Sequence, residues 1–113
     1  MPLAQSTIQK AITEYGTAVC NRFPDSRLFV FGSTARGERK SDSDVDLLVI
    51  SKEFNHFSGM ERLIMLSRLR HGLARKTPLD IIGLTPKEFQ LARKSKNIYW
   101  RSVTSDCIPG ASV

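Results

Sequence analysis

The chain predicts an α/β domain, a small sheet with helices packed on it, and three observations carry that reading. Helix-like and strand-like stretches alternate in the order α-β-α-β-α-β-α, the pattern of helices laid on a sheet. One strand-like stretch, Val45 to Ile50, is apolar on both faces, which marks a central strand covered on both sides. Two helix starts are written into the chain as capping patterns, Ser58-Gly-Met-Glu61 and Thr85-Pro86-Lys87-Glu88.

Each element follows from its residues. Between residues 6 and 20, Ile8, Ala11, Ile12, Tyr15 and Val19 recur at helical spacing, and Phe23-Pro24-Asp25 ends that helix. Residues 27 to 31 (RLFVF) are rich in β-formers and stop at Gly32, so they form a strand. A short helical turn from Ser33 to about Glu38 follows, then a polar loop from Lys40 to Ser43 that includes Asp42. After the central strand, the Ser58 cap opens a helix whose Met60, Leu63, Ile64, Leu66, Leu69 and Leu73 make a broad apolar stripe, core first and partner surface second. Pro78 to Gly83 (PLDIIG) is a third strand with Asp80 inside it. The Thr85 cap opens a helix to about Ser95, and residues 97 to 105 form a further short helix or a strand. Residues 106–113 are expected to be a loose tail. One domain spans 1–113, with no internal repeat and no linker.

Composition narrows the function classes. The 41% hydrophobic content is that of a chain with an ordinary core. Cys20 and Cys107 match no metal-ligand spacing, and a reduced intracellular protein is the simpler reading. Residues 1 to 20 are interrupted by polar groups and do not resemble a signal peptide. No apolar run approaches the roughly 18 residues needed to span a bilayer. The expectation is a soluble cytoplasmic protein with no membrane partner. The net charge of +6 points to a phosphate-bearing or acidic partner. Between Arg62 and Arg101, ten Lys or Arg stand against two acids, either a solvated basic face or a binding surface. Nucleic acid stays open as a partner, though no aromatic-basic pattern supports it strongly. His56, in a loop, and His71, on a basic helix face, read as surface histidines. Tyr99 and Trp100 either pack the last helix or stack a base.

Asp44-Val45-Asp46 carries the chemistry. In a strand, residues two apart point to the same side, so both carboxylates project together beside an apolar core. Such a pair suits a hard divalent cation such as Mg²⁺, which binds one or two carboxylates plus substrate phosphates. If the strand of Asp80 lies beside it, three carboxylates converge, enough for two metals about 4 Å apart. The alternative is that Asp44 caps a strand end and Asp80 is a solvated edge residue. Gly32-Ser33, between strand and helix, exposes backbone N–H groups to phosphate oxygens, and Arg36 can add a cation. Gly37 lets the chain turn back. Together these describe a site for Mg²⁺-nucleoside triphosphate.

The string FGSTARGERKSDSDVDLLVI, with Gly32-Ser33, ten residues, then Asp44-Val45-Asp46, resembles the signature of the nucleotidyltransferase superfamily that includes DNA polymerase β, in its minimal branch. Residues 77 to 89 resemble that branch's third-carboxylate strand and following helix, and the likeness covers roughly 27–95. The resemblance implies the nucleotidyltransferase fold, a small mixed sheet packed by helices (α+β in some schemes). It implies that Asp44, Asp46 and Asp80 bind two Mg²⁺ ions, with Asp80 also orienting or deprotonating the attacking hydroxyl. Gly32 and Ser33 would hold the triphosphate and Arg36 would contact a phosphate. Arg39 and Lys40 either steer the nucleotide or belong to a solvated loop.

The reaction implied is attack by an acceptor hydroxyl on the α-phosphorus of a nucleotide, most simply ATP, with release of pyrophosphate. So small a chain is expected to borrow its acceptor surface from a second copy or another protein. The minimal branch commonly serves as the antitoxin half of a toxin–antitoxin pair, transferring AMP to a tyrosine of a helical HEPN-family toxin. The alternatives are neutralisation of a partner by contact alone, and modification of a small hydroxylated molecule such as an antibiotic.

Overall fold

The computed structural model describes residues 5–38, 40 and 44–110. Helix α1 (Gln5–Arg22) leads into strand β1 (Arg27–Phe31) and the single turn α2 (Gly32–Ala35). Strand β2 (Val45–Ile50) follows, then a 3-10 turn (Lys52–His56), helices α3 (Gly59–Arg68) and α4 (Gly72–Lys76), and strand β3 (Leu79–Leu84). Helices α5 (Pro86–Arg93) and α6 (Ile98–Asp106) precede a two-residue strand β4 (Ile108–Pro109). The sheet order is β3-β2-β1-β4, with β2 and β3 parallel and the other two pairings antiparallel.

Strand β2 is central and its side chains split between two cores. Val45, Leu47 and Val49 join Ile8, Ile12, Tyr15 and Val19 of α1, together with Leu66 and Ala74. Leu48 and Ile50 face the other way, onto Val103, with Phe89 and Trp100 of the α5–α6 layer packed against them. Buried Tyr15 donates its hydroxyl to the Leu66 carbonyl at 2.7 Å, and burial pushes its ionisation well up. The 3-10 turn was not foreseen. It forms because Asp25 accepts from the Ser51 hydroxyl and the Lys52 N–H, both at 2.8 Å, tying the end of β2 to the turn before β1.

Three expectations need correction. The stretch from Ser58 to Leu73 is not one helix. It breaks at Arg70-His71, and Gly72 takes φ +55° where Glu14 accepts the Leu73 N–H at 3.0 Å. Arg70 fastens the break by donating to the Ala74 and Thr77 carbonyls. The apolar stripe of α3 is not all core: Met60, Leu63 and Ile64 are 66%, 49% and 43% exposed, and only Leu66 is fully buried. The reason is that α3 carries two stripes on opposite sides. Arg62, Met65, Leu66 and Leu69 turn inward, whereas Met60, Leu63, Ile64 and Ser67 repeat the same spacing outward. Finally, the tail is not wholly loose. Ile108 and Pro109 pair with Val30 and Phe29 of β1, and buried Gly110 packs near Ile12 and Leu28. Proline is tolerated there because β4 is an edge strand.

Arg62 joins three elements. Its Nε donates to the carbonyls of Phe54 and Phe57, and its Nη1 to that of Gly83 and, at 2.6 Å, to Glu88 Oε1. Burial pushes the Glu88 carboxyl up, but the Thr85 N–H and Arg62 outweigh this and hold it below its usual value. Arg62→Ala leaves three carbonyls and a carboxylate short of a donor, and should cost about 2 kcal/mol in urea unfolding. A carboxyl held low contributes stability that is complete above the ordinary carboxylate range and lost as pH falls through the lowered value. The gap between wild type and Arg62→Ala should therefore narrow in acid.

Candidate functional site

The site is built where β1 ends against the start of β2. Gly32 takes φ +70°, and a Cβ there would come within 2.5 Å of Asp46 Oδ2. The positive φ favours glycine, and a Cβ would push the Asp46 carboxylate aside. The turn α2 has only four residues, too short to bring the field of a long helix to Gly32 and Ser33. Gly37 takes φ +72°, and a Cβ there would meet nothing within 4 Å among the described residues. Arg36 pairs with Glu38 at 3.1 Å and also acts on the charge of Asp46. Lys40 is exposed, while Arg39 and Asp42 lie outside the described residues.

The carboxylates come together through the parallel pairing. Asp46 of β2 stands in register with Asp80 of β3, and side chains in register on parallel strands share a face. Asp44 lies one residue before β2 and is exposed, as is Asp80, whereas Asp46 is half-buried. Burial raises the Asp46 carboxyl, the Asp80 and Asp44 charges raise it further, and Arg36 offsets only part. This is the awkward arrangement that a bound cation relieves.

Two residues were not foreseen in these positions. Thr34 Oγ1 is buried behind the Gly-Ser turn with no hydrogen-bond partner among the described residues. Tyr99, half-exposed on α6, has its hydroxyl ionisation raised by burial and further by the charges of Asp80 and Asp46. The signal for it was Asn97, whose side chain accepts from the Trp100 N–H and sets where α6 begins. Trp100 packs inward, and His56 and His71 are exposed as expected.

Among the described residues no three His, Cys, Asp or Glu side chains are gathered in a geometry that could hold a metal ion. The donor set is therefore the Asp46–Asp80 pair with Asp44 on its flank. All its donors are carboxylate oxygens, which suits Mg²⁺, an ion that takes one or two carboxylates and completes its shell with water and phosphate oxygens.

Glycines 32 and 37 separate conformation from proximity. Alanine at either should cost roughly 1 kcal/mol of stability, because both sit in the left-handed region. Only Gly32→Ala pushes on Asp46. Its Mn²⁺ affinity, read by water-proton relaxation, should fall at least tenfold while Gly37→Ala stays near wild type. Equal losses in the two variants would contradict the close-approach argument.

Comparison with known proteins agrees with this geometry. The Nucleotidyltransferase domain family matches residues 12–103. The Protein adenylyltransferase MntA of Thermococcus cleftensis (strain DSM 27260 / KACC 17922 / CL1) is 31% identical over 94 residues, covering 71% of this chain and 95% of that protein. The crystal structure of a Sulfolobus solfataricus protein described as a nucleotidyltransferase superposes with a TM-score of 0.65 at 26% identity, over 96% of this chain and 89% of that one. Among the described residues no helix is long and apolar enough to cross a membrane. The chain belongs to the nucleotidyltransferase domain family, in keeping with its minimal branch.

Proposed function

We propose that the protein transfers AMP from ATP to a hydroxyl of a partner protein, a tyrosine of an HEPN-family toxin, and acts as its antitoxin. The observation that carries the reading is the in-register Asp46–Asp80 pair lying against Gly32. The printed name of the Thermococcus relative, a protein adenylyltransferase, supports AMP as the group and a protein as the acceptor.

The Asp46–Asp80 pair, with Asp44 on its flank, would hold Mg²⁺, which when bound supplies charge neutralisation for the attacking and leaving oxygens. Gly32 leaves room beside Asp46, and Ser33 offers its hydroxyl and backbone N–H to the triphosphate. Arg36 shares itself between Glu38 and a phosphate. Asp80 is exposed, so it can meet an incoming acceptor and take the hydroxyl proton. The acceptor oxygen bonds to the α-phosphorus, the bond from that phosphorus to the bridging oxygen breaks, and pyrophosphate leaves with the electron pair. Tyr99, half-exposed on α6, would be free to stack the base.

A second reading, neutralisation by contact alone, is favoured by the exposed outer face of α3. One experiment separates them. With Mg²⁺, labelled ATP and the product of the adjacent gene, wild type should label a tyrosine of that product. Asp44/Asp46/Asp80→Asn should lose at least about a hundredfold in rate. If the triple variant still neutralises the partner fully, contact suffices. If folded wild type labels no protein, the transfer reading fails.

A further inference from the structure

The outward stripe of α3 continues into a groove of about 660 Å³ between α3 and α4, lined by Leu63, Ile64, Ser67, Arg68, Arg70 and Arg75. Its floor is aliphatic and its rim is cationic. Arg70 is committed to the carbonyls of Ala74 and Thr77. The guanidinium groups of exposed Arg68 and Arg75 make no ion pair or hydrogen bond among the described residues. Among the described residues no acidic side chain lines the groove. Arg75 lies on α4, which runs through Thr77-Pro78 directly into the Asp80 end of β3, and the Pro78 carbonyl accepts from Val45 there at 2.9 Å.

We infer that this groove docks an acidic amphipathic helix of a partner protein, its apolar residues over Met60, Leu63 and Ile64 and its carboxylates against Arg68 and Arg75. Three features select that occupant. The outer residues Met60, Leu63, Ile64 and Ser67 repeat at the spacing with which one helix lies in the groove of another. The unpaired arginines are complementary to carboxylates, for which the planar guanidinium is well matched. A second copy of this chain on the same face would set Arg68 and Arg75 against their own equivalents, since a two-fold interface brings one patch onto itself. The aliphatic floor, with no aromatic side chain to stack a base, suits a nucleic acid poorly. The groove belongs to the layer on the α1 side of the sheet, away from the side toward which Asp46 projects, so docking and transfer are separable.

The test reads equilibrium binding by the full chain without nucleotide, so its failure leaves the transfer reading standing. The probe is a fluorescein-labelled helix of about 18 residues, five turns, with leucines at the matching spacing and flanking glutamates. A second peptide has lysines in place of the glutamates. Fluorescence anisotropy should show the acidic peptide binding at least tenfold more tightly than the basic one. L63E/I64E and R68E/R75E should each weaken it at least tenfold at an unchanged melting temperature, and salt should weaken it further. The proposal is overturned if both peptides bind alike, or if R68E/R75E has no effect. It is overturned equally if sedimentation shows a wild-type dimer that L63E/I64E dissociates, or if a single-stranded oligonucleotide or anionic vesicles outcompete the acidic peptide.

Discussion

The structure depends on one register: β2 and β3 run parallel with Asp46 opposite Asp80. That pairing sets two carboxylates on one face, and burial together with the Asp80 and Asp44 charges makes ionised Asp46 costly. Gly32 sits beside it, because the β1 end passes close to Asp46 and a Cβ would displace that carboxylate. The rest of the β2 face is aliphatic, so the discomfort is confined to the strand's first turn of chain. Native proteins hold such arrangements where binding needs them, at the expense of stability.

The sheet also divides labour between its two sides. The α1 side holds the larger core and keeps the register in place through Val45, Leu47 and Val49. The α5–α6 side packs on Leu48 and Ile50 through Val103, Phe89 and Trp100. Arg62 connects the sides, since it reaches from α3 past the Gly83 carbonyl to Glu88 of α5. The end of the sheet opposite the acids is tied down by Asp25, Ser51 and Arg62.

Much of this was legible in the residues. The caps at Ser58 and Thr85 are both full capping boxes, and β1, β2 and β3 lie within a residue of where their composition placed them. The Asp46–Asp80 meeting was legible only as a condition, that β3 lie beside β2, because strand order is not written in either strand. The α3 stripe misled because two apolar stripes on opposite sides of a helix look like one broad stripe in a linear reading. The break at Gly72 needed Glu14, 58 positions upstream, and β4 needed an open β1 edge to pair with. Tyr99 was visible as an aromatic residue, but its place depends on how α6 sits against β1 and α2. Long-range partners of this kind leave no local signal.

The central claim is that Asp46 is kept ionisable for a cation and not for the fold. Thermal unfolding of wild type and Asp46→Asn at neutral pH, with and without millimolar Mg²⁺, tests it most directly. Without Mg²⁺ the variant should melt higher, by about 4 °C for a gain of about 1 kcal/mol. Mg²⁺ should raise the melting temperature of wild type and leave the variant unmoved. A variant that melts below wild type without Mg²⁺, or that gains as much from Mg²⁺, would contradict the account.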